Sequence, residues 1–138
     1  MKVVFTAGYW DPLHRGHVKH FEEAKKLGDK LLVLVHRDEC CKRKKGYVFM
    51  PLQDRLEVLR SLKWVDEIIV CPKNCDGSVK EVLEALKPQI FARGGDRNLS
   101  NLPREEIEIC AKLGIQIVCG VGGPKLQSSS KLVDQVKK

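Results

Sequence analysis

Residues 8–17 read Gly8-Tyr9-Trp10-Asp11-Pro12-Leu13-His14-Arg15-Gly16-His17. The apolar run before them, Val3 to Ala7, is typical of a buried strand, and the amphipathic run after them, residues 18–27, is typical of a helix. The stretch is therefore predicted to be a strand-to-helix turn. Because a helix start presents unpaired backbone N–H groups and the positive end of the helix dipole, this turn is suited to bind an anion such as phosphate.

Two histidines and a glycine stand at the predicted helix start. His14 and His17 are three residues apart, so they share one face of the first turn. Gly16 between them has no side chain to obstruct a phosphate. One alternative is a pair of surface histidines without a role. Another is a zinc site completed by His20, but that residue lies further round the helix than three converging ligands require.

Apolar and amphipathic runs alternate along the rest of the chain. Further strands are predicted at 30–35, 64–70, 89–93 and 115–119, and further helices at 51–62, 78–86, 103–113 and 131–138. A loop at 37–50 carries the basic run 42–45. Five βα units predict an α/β fold, with one parallel sheet covered by helices on both faces and a single domain over residues 1–138.

The net charge of +7, from 25 basic and 18 acidic residues, favours anionic partners such as nucleotides, phosphorylated metabolites or nucleic acid. The basic residues are not interleaved with aromatic ones, so nucleic acid is the least favoured of these. No apolar run reaches membrane-spanning length and no signal peptide precedes the first strand, so we expect a cytoplasmic protein with no membrane contact.

The six cysteines form no C-x-x-C pair and no zinc-finger spacing. Cys71, Cys110 and Cys119 lie in apolar runs and are predicted to be buried thiols. Cys71 and Cys75 flank a short loop and could form a disulfide, although a cytoplasmic location argues against one. None of the cysteines is expected to take part in catalysis.

In its strand-to-helix setting, His14-Arg15-Gly16-His17 resembles the H-x-G-H signature of the nucleotidyltransferase superfamily. The surrounding Gly-aromatic-Asp-x-x-His pattern is similar to that of its small cytidylyltransferase-like members. The resemblance implies a doubly wound, Rossmann-like sheet of order 3-2-1-4-5, in which the first and fourth strands are neighbours. It also implies an enzyme that moves a nucleoside monophosphate from a nucleoside triphosphate to a phosphorylated acceptor and releases pyrophosphate.

The resemblance also assigns roles to residues. It places catalysis on His14, His17 and Lys44, with Lys45 as the second candidate for the lysine. The nucleotide is expected to contact Gly8, Tyr9, Trp10, His14, Gly16, His17, Gly95, Asp96, Ser128, Ser129 and Ser130. The remaining substrate contacts are expected from Asp11, Lys44, Arg55 and Arg97. The alternatives are a turn aspartate, a solvated run of lysines, a surface helix arginine and an ordinary helix-capping serine.

Two branches of the superfamily compete for the substrate. Gly94-Gly95-Asp96-Arg97 is similar to the Lys-Gly-Gly-Asp of the adenylyltransferase half of ADP-heptose synthases. Glycerol-3-phosphate cytidylyltransferases have Gly-Asp-Asp-Trp there, and an arginine before the last helix that this chain lacks. We therefore expect ATP and a sugar or polyol phosphate. A CTP-dependent cytidylyltransferase of glycerol-3-phosphate or a similar polyol phosphate is the first alternative, and a non-catalytic nucleotide sensor is the second. Mg²⁺ is expected with the triphosphate, and the resemblance implies a homodimer.

Overall fold

The computed structural model describes residues 1–73, 77–95, 98, 100–123 and 129–137, without the side chains of residues 130, 136 and 137. Its strands are β1 (Val3–Gly8), β2 (Lys30–Val35), β3 (Glu67–Val70), β4 (Ile90–Gly94) and β5 (Gln116–Val121). Its helices are α1 (Arg15–Lys25), α2 (Asp38–Lys45), α3 (Leu52–Arg60), α4 (Lys80–Leu86), α5 (Arg104–Leu113) and α6 (Ser129–Lys137).

The five strands form one parallel sheet in the order β3-β2-β1-β4-β5, which confirms the predicted fold class and strand order. β1 is central. It pairs with β2 from Val3↔Lys30 to Gly8↔Val35, and on its other side it pairs with β4 at Phe5↔Phe91. The strand order therefore reverses between β1 and β4. In such sheets, ligands bind in the crevice at the carboxyl ends of these two strands.

The core has one layer on each face of the sheet, because successive side chains of a strand point in opposite directions. Leu34 packs on the face covered by α4 and α5, and Val33 packs on the face covered by α1 and α3. The helices contribute the buried side chains Phe21, Leu59, Leu83 and Ile109. Each such side chain contributes roughly 1.5–3 kcal/mol through burial, and this packing holds the strand ends in register.

The predicted loop at residues 37–50 contains helix α2, which the sequence pattern did not reveal. Its apolar side is only the adjacent pair Cys40 and Cys41, both buried, so the helical spacing of apolar residues is missing. The helix is instead stabilised at its ends. Acidic residues occupy the first turn and basic residues the last, where Gly46 adopts φ 85° and donates its N–H to the Lys42 carbonyl at 2.8 Å.

The cysteines differ in their chemical state. Cys41, Cys71, Cys110 and Cys119 are thiols, and the first three are buried. Since Cys71 is a thiol, the possible disulfide of Cys71 is not formed, and Cys75 itself lies outside the described residues. Cys40, in contrast, is disulfide-bonded. Burial raises the pKa of Cys110 to about 11, and Glu106 nearby adds to the effect, so this thiol is inert at neutral pH.

His20 is a buried part of the core, only 7% exposed. Its Nδ1 lies 3.0 Å from the Val121 carbonyl oxygen, which can only accept, so Nδ1 carries a proton. Its Nε2 lies 2.8 Å from the Thr6 hydroxyl. Burial lowers the pKa of His20, because the charged ring would be poorly solvated there. The neutral ring therefore joins α1 to β1 and β5, and both ring nitrogens are engaged within the protein.

We expect His20 to make the protein less stable in mild acid. Its pKa is lower in the folded chain than in the unfolded one, so the unfolded state takes up the proton first as the pH falls below about 6.5. The free energy of unfolding, measured in urea, should therefore fall between about pH 7 and about pH 5. His20→Asn keeps a donor for Val121 without a titrating ring. It should reduce this slope, leaving the part due to His36, whose pKa burial lowers to about 4, and it should lower stability overall. An unchanged slope in that variant would contradict the assignment.

Candidate active site

The histidine turn, defined as residues 8–17, joins β1 to α1 as predicted. His14 is the N-cap of α1, and its Nδ1 accepts the N–H of Gly16 at 3.1 Å. The rings of His14 and His17 stack with centroids 3.8 Å apart. Because Nδ1 of His14 accepts, the proton of the neutral ring is on Nε2. The turn therefore presents an imidazole N–H donor beside a second imidazole, as a bound oxyanion requires.

The first turn of α1 contains no acidic residue. Helix α2 has Asp38 and Glu39 in the same position, and α5 has Glu105 and Glu106. Acidic side chains in a first turn neutralise the positive end of the helix dipole. Their absence from residues 15–17 leaves that end of α1 available to an anionic ligand.

Ser129 brings the start of α6 to the same place. Its hydroxyl donates to the Pro12 carbonyl at 2.8 Å, across a separation of 117 residues. The first turn of α6 also lacks acidic residues. Two helix starts without acidic residues therefore meet at the histidine turn. Ser128 lies outside the described residues, as does the side chain of Ser130.

The buried side chain of Trp10 anchors the turn to the core. It adopts φ 53°, is 7% exposed, and donates its indole N–H to the Leu34 carbonyl at 2.9 Å. Its ring lies edge-on to that of His17, with centroids 4.9 Å apart. A Cβ at Gly8 would lie 2.8 Å from the indole ring, so only glycine fits beneath it. The Trp10 side chain thus faces the core, and what it can offer a nucleotide is its backbone.

Asp11 is fully buried, and its carboxylate fixes the segment after α2. It accepts the backbone N–H of Phe49 at 2.8 Å and that of Met50. This role goes beyond that of a turn aspartate, because it joins two segments 38 residues apart. Both carboxylate oxygens are engaged with the protein backbone in this structure.

Lys45 is the lysine of the basic run that lies against the histidine turn. Its Nζ donates to the Asp11 carbonyl at 2.9 Å and lies 5.5 Å from the centroid of the Tyr9 ring. Burial lowers the pKa of Lys45, and the Asp11 carboxylate partly offsets the effect. Lys44, the first candidate from the sequence, is an exposed residue of the same last turn. The structure thus brings the second candidate to the turn.

Arg55 is fully buried. Its burial fits neither of the two expectations, a surface arginine or a direct substrate contact. Its guanidinium donates to the carbonyls of Tyr9 at 2.8 Å, His36 at 2.6 Å and Met50 at 2.9 Å. It also pairs with the Asp38 carboxylate at 2.6 Å. In this structure Arg55 therefore reaches the histidine turn through the backbone and has no exposed atom to offer a ligand.

Of the residues predicted on the β4 side of the crevice, the structure describes Gly95. Gly95 follows β4 with φ 25°, next to the carboxyl end of β1, so the two turns are brought together as expected. Asp96 and Arg97 lie outside the described residues.

On the β2 side, the rings of Tyr9 and His36 have centroids 4.5 Å apart. Burial and the charges of Arg55 and Arg93 lower the pKa of His36 to about 4, so its ring is uncharged at neutral pH.

The contacts that hold the turn in place leave little trace in the sequence. The hydroxyl of Thr6, the ring of His20 and the carboxylate of Asp38 all support it, and none was assigned a role from the sequence. The one usable signal was Asp38, an acidic residue at the start of the basic segment and 17 residues before Arg55. The other two look like ordinary strand and helix residues.

In the part of the chain that the structure describes, none of the helices is both long and apolar enough to cross a membrane.

Comparison with known proteins gives consistent results. Residues 5–121 match the family described as cytidylyltransferase-like. The chain is 33% identical to the FAD synthase of Methanobrevibacter smithii over 143 aligned positions, which cover 100% of this chain and 92% of that protein. It is also 40% identical to the FAD synthase of Thermococcus sibiricus over 96 positions, which cover 69% of this chain and 64% of that protein.

Two further matches extend the comparison. The chain is 37% identical to the bifunctional protein HldE of Hahella chejuensis over 124 positions, covering 88% of this chain but only 23% of that protein. The crystal structure of the lipopolysaccharide core biosynthesis protein from Thermoplasma volcanium superposes with a TM-score of 0.68 at 32% identity, covering 87% of this chain and 94% of that one.

Proposed function

Since the chain belongs to the cytidylyltransferase-like family, which confirms the resemblance found in its histidine turn, we propose that it is a nucleotidyltransferase. It would transfer the nucleotidyl group of a nucleoside triphosphate, ATP in the first place, to a phosphate oxygen of a phosphorylated small molecule. The observation that carries the proposal is the meeting of two helix starts, both without acidic residues, at a pair of stacked imidazoles.

The proposed reaction is an in-line displacement at the α-phosphorus. An acceptor phosphate oxygen forms the new P–O bond, the bond to the β-phosphate oxygen breaks, and pyrophosphate leaves. Negative charge builds on the phosphoryl oxygens, so the protein acts by alignment and by positive charge. His14 and His17 would donate to these oxygens, the start of α6 would hold the leaving phosphates, and Lys45 would neutralise charge from the α2 side.

Magnesium is proposed to enter with the triphosphate. Asp11 is the carboxylate of the histidine turn, and both of its oxygens accept backbone N–H groups. It is therefore not positioned to bind a metal directly in this structure. Mg²⁺ would be held by phosphate oxygens of the nucleotide and by water, and would screen the charge of the polyphosphate.

The acceptor is proposed to be a phosphate monoester. FAD consists of FMN joined to AMP through a pyrophosphate, so its synthesis from ATP attaches an adenylyl group to the FMN phosphate. The FAD synthase that aligns with the whole of this chain makes FMN one candidate. Sugar and polyol phosphates are the others, supported by Gly94-Gly95 after β4.

A single assay tests the proposal and its alternatives. The protein is mixed with Mg²⁺, each of the four nucleoside triphosphates, and FMN or one of a panel of sugar and polyol phosphates, and pyrophosphate is measured. We expect release with ATP and at least one acceptor. Release with CTP alone would favour a cytidylyltransferase. No release above that of a His14→Ala/His17→Ala control across the panel would leave only a nucleotide-binding sensor.

The two lysines of α2 give a sharper test of the site. We expect Lys45→Ala to lower kcat/KM by about tenfold or more, since it removes a cation held on the histidine turn. Lys44→Ala, an exposed neighbour with the same charge, should change kcat/KM by less than about threefold. Lys45→Arg should restore part of the activity. If Lys44→Ala has the larger effect while both variants stay folded, the phosphate-binding cation is Lys44, as the sequence alone suggested.

A further inference from the structure

A cluster of nitrogen and sulfur ligands lies beside the proposed active site and is not needed for nucleotidyl transfer. It consists of His36, Cys40 and Cys71, all buried, with one ligand atom from each residue within 4.8 Å of the others. The Sγ atoms of Cys40 and Cys71 are 3.7 Å apart. Two sulfurs bound to one tetrahedral zinc ion at about 2.3 Å would be separated by about 3.8 Å. The two sulfurs therefore already have the separation that one tetrahedral zinc ion requires, and a His36 ring nitrogen lies nearby.

The fold brings these residues together from three segments. His36 follows β2, Cys40 lies in the first half of α2, and Cys71 follows β3. The parallel pairing of β2 with β3 ends at Val35↔Val70, which sets His36 beside Cys71. Because the sheet fixes two of the three ligands, their approach does not depend on loop conformation.

The surroundings of the sulfurs suit thiolates. The backbone N–H of Arg37 donates to Cys71 Sγ at 3.1 Å, and the guanidinium of Arg43 donates to Cys40 Sγ at 3.5 Å. Such donors in the outer shell stabilise the negative charge of a thiolate and orient it toward a metal. Cys110, the buried thiol on α5, lies beside the carboxylate of Glu106 and has no such setting.

The two cysteines of the cluster are in different oxidation states. Cys40 is disulfide-bonded, whereas Cys71 is a thiol. Reduction of the disulfide by a dithiol consumes two electrons and two protons, returns Cys40 and its disulfide partner as thiols, and leaves the reductant as its own disulfide. A metal ion can then displace the protons of Cys40 and Cys71 and bind both thiolates.

We propose that His36, Cys40 and Cys71 bind a zinc ion in the reduced protein, and that the Cys40 disulfide and the metal exclude one another. One imidazole and two thiolates form a borderline-soft donor set that suits zinc and not magnesium. The ion would fasten the start of α2 to the ends of β2 and β3. Since α2 ends in Lys45 and the His36 ring packs on Tyr9, the site would link the redox state to the histidine turn.

The test uses cobalt as a spectroscopic substitute for zinc. The full-length chain is reduced with a dithiol, freed of reductant without air, and titrated with Co²⁺ in the absence of nucleotide. We expect one ion per chain, with thiolate-to-cobalt charge-transfer absorption that disappears when zinc is added. The air-oxidised protein should show no such absorption. Because no substrate is present, the outcome does not depend on whether nucleotidyl transfer is confirmed.

Two cysteine variants distinguish cobalt binding at this cluster from cobalt binding at other thiols. Cys71→Ser should weaken cobalt binding by at least a hundredfold and remove part of the charge-transfer intensity. The matched variant Cys110→Ser, which removes a buried thiol outside the cluster, should bind cobalt as the unmodified chain does. Circular dichroism checks that both are folded. The proposal is overturned if the reduced chain shows no thiolate-to-cobalt band, if Cys71→Ser binds as tightly as the unmodified chain, or if the oxidised protein binds equally well.

Discussion

Replacing either His14 or His17 by alanine is expected to lower kcat by about a hundredfold to a thousandfold, the cost of removing one preorganised donor to a developing oxyanion. Because the centroids of the stacked rings are only 3.8 Å apart, we expect the two rings to act on neighbouring oxygens of one phosphoryl group. The double variant should therefore lose less than the product of the two single effects, because residues that act as a unit are not additive. The measurement is pyrophosphate release at saturating substrate.

The control for this prediction separates chemistry from helix capping. His14 also accepts the Gly16 N–H, so alanine removes a cap worth about 1 kcal/mol. His14→Asn restores a capping side chain without an imidazole, and we expect it to recover stability but not activity. Lys19→Ala removes an exposed positive charge from the same helix and should leave turnover unchanged. Full activity in His14→Asn would show that the ring serves only as a cap.

The second large effect is expected on stability. Arg55→Met should lower the free energy of unfolding by about 3–5 kcal/mol, because it leaves three backbone carbonyls and the Asp38 carboxylate without their donor. Urea denaturation measures this loss. The exposed Arg60 lies in the same helix, and Arg60→Met should change stability by less than about 0.5 kcal/mol.

This prediction also distinguishes two roles for Arg55. If the arginine held a substrate, Arg55→Met would raise KM in a protein of normal stability. If it positions the turn, stability and kcat should fall together, and Arg55→Lys should restore little, since an ammonium cannot reproduce the planar fork that contacts Tyr9, His36 and Met50. A change in unfolding free energy below about 1 kcal/mol would contradict the positioning role.

The fold was largely predictable because its strands are covered on both faces. Such strands read as continuous apolar runs, as at residues 30–35, and they are separated by helices whose apolar spacing is regular. Helix α2 was not predicted, because two adjacent buried cysteines give no periodic pattern. The strand order itself came from the family resemblance, since local patterns do not encode which strands pair.

The candidate site was predictable only in its local parts. A strand, a glycine and a helix start next to one another in the sequence suffice to place His14 and His17. The burial of Arg55 was not predictable, because its partners come from three separate segments and become neighbours only through tertiary folding. The choice between Lys44 and Lys45 was not predictable for the same reason. Consecutive side chains of a helix point about 100° apart, and only the packing of α2 decides which lysine faces the turn.

The hydrogen bond between Ser129 and Pro12 has a consequence for synthesis on the ribosome. The turn leaves the ribosome 117 residues before its hydrogen-bond partner. Contacts of such long sequence separation form late, after most of the chain's entropy has been lost. We therefore expect β1 and α1 of a nascent chain to be made well before α6 can complete the candidate site.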